Sequence, residues 1–307
     1  MSLAQATRIG QGSTARRRRI STGEMSGWLG SLPLVIVILV LFAYPVINAM
    51  RMSVTTADGA WIGLIRYGSV LGDRQWSQSV EYTVLFTVGS VSLHLVVGLA
   101  LALMLTSRKR SPQVLNIFRG LLILPWVISL TVAAPMIKLL FHQLGVVNYA
   151  LTDGLHLISQ PIPWMGDPGI TPWFIIAVSG WQGFPFFMIL FIGAIQAISI
   201  ERYEAARIDG AGAWQSFLHI TLPGITGTAL RVIVLDAIWM WRAFEIAYLL
   251  TGGGPLGKTT TLSFLTYTLA FQGTNLNYAA TVAMLMSVVS MLVTLVLLRI
   301  PEPEVAD

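Results

Sequence analysis

Cysteine is absent from the 307 residues, which excludes a disulfide framework, a thiol nucleophile and any Cys-based zinc site. Charge is scarce as well. Asp, Glu, Lys and Arg make up 11% of the chain, against about 25% in an ordinary soluble domain. A chain so poor in charge does not face water on all sides. Histidine is also rare: His94 falls inside an apolar block, where an interhelical hydrogen bond is the expected role. His142, His156 and His219 are scattered without metal-ligand spacing, so no metal site is expected. The few ionisable groups sit in separate segments and form no Ser-His-Asp set or carboxylate dyad. The chain is therefore not expected to be an enzyme, and its +5 net charge is not the footprint of a nucleic-acid binder.

What the chain has in quantity is apolar sequence: 55% of residues are hydrophobic and the mean hydropathy is +0.72. The apolar residues gather into six runs, at about 28–50, 80–106, 119–141, 171–194, 225–249 and 279–299, each near the roughly 20 residues that a helix needs to cross a bilayer. Helices satisfy their own backbone where water is missing. The predicted fold class is an all-α membrane protein with six transmembrane helices. Residues 1–25 read as a flexible basic tail, 26–300 as the transmembrane domain, and 301–307 as a C-terminal tail. The run after Arg16 to Arg19 is too long for a signal-peptide core and no small-residue cleavage site closes it, so it is expected to be an uncleaved first helix. Lys and Arg favour the cytoplasmic side. With the N-terminus inside, that side holds Arg8, Arg16 to Arg19, Arg108, Lys109, Arg110, Arg119, Arg202, Arg207 and Arg299, and the outer side only Arg51, Arg66, Arg74 and Lys258. Both termini are expected in the cytoplasm. The outer loop over 142–170 carries Pro161, Pro163, Pro168 and Trp164 and is too broken for a long helix.

One polar stretch interrupts this pattern on the cytoplasmic side: ERYEAARIDGAGAWQSFLHITLPGI, from Glu201 to Ile225. Glu204 and Arg207 at i,i+3 and the alanines between them favour a helix. Gly210 is the natural exit from it. A second short helix is expected to carry Trp214, Phe217, Leu218 and Ile220, and Pro223 is expected to end it before the next span. Local physics alone also allows a plain interfacial connection. The spaced set Glu204, Ala205, Ala206, Asp209, Gly210, Ala211, Phe217, Ile220, Leu222 and Pro223 resembles the EAA loop of bacterial ABC importer permeases. Phe42 to Pro45, the run Leu250 to Pro255 (LTGGGP) and Tyr278 to Ala280 are similar to the maltose-type carbohydrate uptake branch. The resemblance covers residues 28–300, but the outer loop after span three is compact, without the large inserted domain of the maltose permease subunit.

The resemblance implies the ABC importer permease fold, with the 201–223 element docking as coupling helices on a separate ATPase. It implies a second permease subunit, an ATPase dimer carrying ATP and Mg, and an extracytoplasmic binding protein that delivers a sugar. No cofactor is expected on this chain itself. Its place is the bacterial cytoplasmic membrane, in contact with lipid. Residues 252–259, GGGPLGKT, satisfy the phosphate-loop pattern, yet a phosphate loop needs a preceding strand, and here an apolar span precedes it. Gly252, Gly253, Gly254 and Pro255 are instead expected to face the binding protein.

Ionisable residues inside a span usually face the bundle interior. Arg242 and Glu245, read as i,i+3 neighbours on one helix, stand with Trp239, Trp241 and Phe244 as candidates to line a sugar path, because sugars offer both apolar faces and hydroxyls. Gln182, beside a Gly-Phe-Pro sequence, joins them. A structural ion pair with an aromatic belt is the competing reading. Arg231 and Asp236 are explained by snorkelling or an intramembrane pair. Arg242 and Lys138 leave an anionic sugar open as substrate. An ion-coupled secondary carrier is the alternative function, and it would rest on Asp236 and Glu245.

Overall fold

The computed structural model describes residues 22–106, 111–273 and 275–299. Arg8, the Arg16 to Arg19 cluster, Arg108 to Arg110 and the expected C-terminal tail lie outside the described residues. The chain divides into two compact units, residues 1–48 and 49–307. Helix α1 (Thr22–Ile38) passes through a π-helical turn at Leu39–Ala43 into α2 (Tyr44–Ser53), whose residues from Ala49 onward belong to the second unit. Gly30–Ser53 is long and apolar enough to span. Leu34, Leu41 and Phe42 stand exposed on it, as on a helix that is apolar all round and sits in hydrocarbon.

The second unit holds α3 (Ile65–Leu71), α4 (Arg74–Leu105), α5 (Pro112–Val127), α6 (Leu130–Leu140), α7 (Val146–Tyr149), α8 (Thr171–Ala197), α9 (Ile200–Ile208), α10 (Ala213–Ser216), α11 (Leu222–Trp241), α12 (Glu245–Leu250), α13 (Leu262–Tyr267) and α14 (Leu276–Leu298). No strand forms among the described residues; a single isolated bridge joins Thr55 to Trp61. By length and composition five helices can cross a membrane, and α5 with α6 make a sixth span bent by 94°. The six apolar runs are all helical. Two of them are not the single helices the hydropathy suggested.

Span three breaks at Ile128–Ser129, where Ser129 becomes the N-cap of α6 and its side chain accepts from the Thr131 N–H at 3.3 Å. Span five ends at Trp241 and resumes at Glu245. The expected stop at Leu222-Pro223 is corrected as well. Helix α10 runs through a π-helical turn at Phe217–Thr221 directly into α11, with Pro223 in the first turn. Proline lacks a donor and crowds the carbonyl four residues back. The widened turn just before it, closed by the Leu222 N–H on the Phe217 carbonyl, absorbs that demand, so the helix continues.

Helices α4 and α8 form the spine. Gly89 lies against Ile176, Gly180 against Leu93, and Gly98 against Phe187, so the two helices run in the same direction and meet through glycines contributed by both. Small residues let backbones approach closely where no hydrophobic force separates helix from lipid. Around the spine the apolar core splits along its length. One cluster joins Tyr82, Phe86, Phe174 and Ile175 to α6 and α12, and the other joins Phe187, Met188 and Phe191 to Leu115, Ile225 and Val232. A third packs Trp76 and Trp241 with Val70, Leu262 and Val282. The polar end of α2 is closed by its neighbours: Arg66 donates to the Met52, Ser53 and Thr55 carbonyls, and Asn277 donates to Met52 and Thr55.

A Cβ on Gly98 would lie 2.5 Å from Phe187 Cβ and 3.0 Å from the Met188 backbone nitrogen. Backbone cannot swing aside as a side chain can. Gly98→Ala is expected to force α4 from α8 and to lower stability by about 1–3 kcal/mol, measured as a drop in Tm of the purified protein in detergent. Gly193→Ala, with nothing within 4 Å of the new methyl, is expected to leave Tm unchanged or raised.

Candidate functional site

The polar stretch folds as a helix, a glycine turn and a second helix. Helix α9 ends in a left-handed turn at Gly210, φ +80. The Ala211 N–H donates to the Ala206 carbonyl at 2.8 Å and the Gly210 N–H to the Arg207 carbonyl at 3.1 Å, the Schellman pattern that satisfies the last carbonyls of a helix. The Tyr203 hydroxyl meets the Thr221 hydroxyl at 2.9 Å and pins α9 to the foot of α11. Glu204, Ala205, Asp209 and Gly210 are exposed, and Ala206 and Ala211 are half-buried. Ile208 is 87% exposed, and Trp214 is 68% exposed and stacked on Phe217 at 5.5 Å. The surface thus combines small residues, one carboxylate-bearing helix and two unshielded apolar side chains, with Leu222 and Pro223 exposed beside it.

The six path candidates do not form one cluster, and Trp241 packs in the core with Trp76. Trp239 packs on Phe186 at 5.3 Å, and Phe186 stacks on Trp126 at 5.9 Å, joining α11, α8 and α5. Phe244 belongs to a separate group, 5.2 Å from Tyr248 and 5.1 Å from Tyr267. Between the groups lies the break at Arg242 and Ala243, so Arg242 and Glu245 do not share a helix turn as expected. Glu245 instead accepts from the Thr131 hydroxyl at 3.0 Å, tying α12 to α6 where each span restarts. The freed carbonyls of Arg242 and Ala243 accept from the Ser263 and Thr261 hydroxyls at 3.0 and 2.8 Å. Gln182 is half-buried on α8.

The glycine loop closes on itself. It follows α12, a helix and not a strand, and takes positive φ at Gly252, Gly253, Leu256 and Gly257. The buried Thr259 hydroxyl donates to the Gly254 carbonyl at 2.6 Å and lies 2.7 Å from the Thr251 hydroxyl. In a phosphate loop that hydroxyl would be free for the metal; here it fastens the turn.

Sequence reasoning gave no weight to Ser179, Gly183 and Asn148. His94, 1% exposed, sits between three helices, with Nδ1 2.7 Å from Asp236 Oδ2 and Nε2 2.9 Å from the Ser179 carbonyl. A carbonyl only accepts, so Nε2 carries a hydrogen. The Nδ1–Oδ2 contact then holds the one remaining proton. Gly183 makes the space: a Cβ there would collide with the imidazole. The interhelical role of His94 was among the readings of the sequence; Asp236, read there together with Arg231, meets the imidazole of His94. Buried Asn148 organises the 142–170 loop. It donates to the His142, Gln143 and Ile162 carbonyls and accepts from the Ile162 N–H and Trp164 Nε1–H. Beside the α5–α6 bend an apolar cavity of about 1010 Å³ opens, lined by Ile128, Met136, Trp164, Trp173 and Trp181 among others.

Residues 94–307 match the family described as the binding-protein-dependent transport system inner membrane component. The trehalose/maltose transport system permease protein of Thermococcus litoralis is 35% identical over 248 residues, 78% of this chain and 82% of the relative. The lactose transport system permease protein of Rhizobium radiobacter is 32% identical over 268 residues, 85% of this chain and 88% of the relative. In fold, the chain is similar to a solved bacterial ABC transporter involved in the import of the acidic polysaccharide alginate. The TM-score is 0.80, at 24% identity, covering 90% of this chain and 94% of that one.

Asp236→Ala strands a buried imidazole and is expected to cost about 3–5 kcal/mol. Thr131→Val, which removes a more exposed hydrogen bond, is expected to cost about 1 kcal/mol. Thermal unfolding of the two purified variants beside the unmodified protein measures both.

Proposed function

The chain belongs to the family of binding-protein-dependent transport system inner membrane components, and on that basis we propose that it is the permease subunit of an ATP-driven importer that translocates a sugar or sugar derivative handed over by an extracytoplasmic binding protein. The observation that carries the substrate class is the likeness, over most of its length, to permeases named for trehalose/maltose and lactose transport. As a multi-pass protein of the bacterial cytoplasmic membrane, it has both termini in the cytoplasm, following the Lys and Arg distribution. It pairs with a second permease, and ATP with Mg is hydrolysed on a dimer of separate ATPase subunits.

In this reading α9 and α10 are the coupling element. Glu204 presents a carboxylate to a basic or polar group of the ATPase. The small side chains of Ala205, Ala206 and Ala211 admit a close approach, and Asp209 and Gly210 set the bend. Phe217, Leu222 and Pro223 join the element to the membrane helix. The support is mechanical: α10 runs without a stop into α11, so a push on α10 is delivered along the helix that bears Asp236 and Trp239. Closure of the ATPase dimer then draws the two permeases' coupling elements together and rocks the spans between inward- and outward-facing states. The solute passes by Gln182, Trp239, Arg242, Phe244 and Glu245, and the loop of Gly252, Gly253, Gly254 and Pro255 meets the binding protein. An ion-coupled carrier would need free intramembrane carboxylates, whereas Asp236 is engaged by His94 and Glu245 by Thr131.

Gly210→Pro cannot adopt φ +80, since proline holds φ near −65. Gly210→Pro and Glu204→Lys are each expected to cut sugar uptake at least about tenfold, with the chain still inserted in the membrane; a tenfold loss corresponds to about 1.4 kcal/mol of coupling. Uptake in proteoliposomes and the amount of membrane-extracted chain are the measurements. Normal uptake by both variants would remove the coupling assignment.

A further inference from the structure

Five aromatic rings converge where the loop after α12 meets α13: Phe244, Tyr248, Phe264, Tyr267 and Phe271. Tyr267 lies 5.1 Å from Phe244, 5.6 Å from Tyr248 and 5.2 Å from Phe271, ring centre to ring centre. Buried Phe264 forms the base, 6.1 Å from both Phe244 and Tyr248. Tyr248 is 43% exposed and Phe271 is 72% exposed, so the far edge of the group is open.

The glycine loop is seated on this base. A Cβ on Gly253 would lie 2.6 Å from the Phe264 ring, so the loop backbone rests against the patch with no side chain between. At its other end the patch begins with Phe244, two residues from Arg242 at the break in span five. Across that break stand Trp239, Phe186 and Trp126. The patch therefore lies between the outer loop and the intramembrane aromatic group.

Two ordinary uses of such rings fit poorly. A membrane-interface belt distributes Tyr and Trp around the perimeter of a protein, whereas these rings stack on one another at one place. A core cluster would bury its members, and two of these five are exposed. Stacked rings with phenolic hydroxyls among them suit a saccharide. Its C–H faces pack on aromatic surfaces and its hydroxyls take hydrogen bonds from tyrosine.

We propose that the patch of Phe244, Tyr248, Tyr267 and Phe271 is a saccharide-stacking site that receives the sugar on its way from the binding-protein-facing loop to the intramembrane path. This rests on the sugar-importer reading. Tyr248 and Phe271 supply the open stacking surface, Tyr248 and Tyr267 supply hydroxyls, and Phe264 with Gly253 holds the loop against it.

The test uses the whole transporter, reconstituted with its binding protein and offered labelled maltose, lactose and an alginate oligosaccharide. Tyr248→Ala and Phe271→Ala are each expected to lower uptake of the transported saccharide by about five- to tenfold. Tyr248→Phe, which keeps the ring and loses only its hydroxyl, is expected to lower it by less, about two- to fivefold. Each variant must co-purify with the ATPase subunits at the unmodified ratio. Unchanged uptake by both alanine variants overturns the site and leaves the importer reading intact. Loss of uptake together with loss of ATPase subunits also overturns it, since the rings would then be an assembly contact. Failure of the unmodified transporter to take up any of the three saccharides overturns the sugar reading, and the site's ligand with it.

Discussion

The imidazole of His94 joins three helices at one point. It reaches Asp236 on α11 at 2.7 Å and the Ser179 carbonyl on α8 at 2.9 Å, from its own place on α4. In water such contacts contribute little, because each group would otherwise be hydrated. Inside an apolar bundle the unpaired alternative is costly, so the arrangement permits few others. The glycines of the α4–α8 spine follow from it. Gly183 leaves room for the ring, and Gly89, Gly98 and Gly180 let α4 and α8 approach closely along their length. With that spine set, α11 is tied to it through Asp236.

The same constraint governs where helices are allowed to break. Backbone groups released at membrane depth need internal partners. Span five opens at Arg242 and Ala243 because Ser263 and Thr261 return from the following segment to take up the two carbonyls. Span three opens at Ser129 because that residue caps the next helix itself. The two restarted helices, α6 and α12, then meet through Thr131 and Glu245. The break in span five separates the two aromatic groups and leaves Arg242 between them.

The α9–α10 segment obeys different rules because it is polar and largely exposed. Its shape is local: helix, Schellman turn at Gly210, helix. Ile208 and Trp214 stand exposed on it, Trp214 stacked on Phe217. What makes it mechanical is the absence of a stop at Pro223. The π-helical turn at Phe217–Thr221 carries the helix past the proline, so α10 and α11 are one continuous helix.

Features decided by near neighbours in the chain were legible without coordinates. The six apolar runs, the glycine bend at 210 and the rejection of GGGPLGKT as a phosphate loop each depend on residues within a few turns. The interhelical role of His94 also came through, while Asp236, read together with Arg231, meets that imidazole. The breaks did not, because the groups that permit the one at Arg242, Thr261 and Ser263, lie about 20 residues away in the chain, and hydropathy averages over them. Asn148 was equally silent, as its five partners come together only when the 142–170 loop folds around it. By itself the sequence determined that this chain lives in a membrane, how many times it is apolar enough to cross, and which polar segment stands apart. Which polar groups meet, where the helices open and which rings share a surface were decided only by the tertiary structure. Those outcomes hang on partners distant in the chain and on the backbone's need for them in a medium that offers no water.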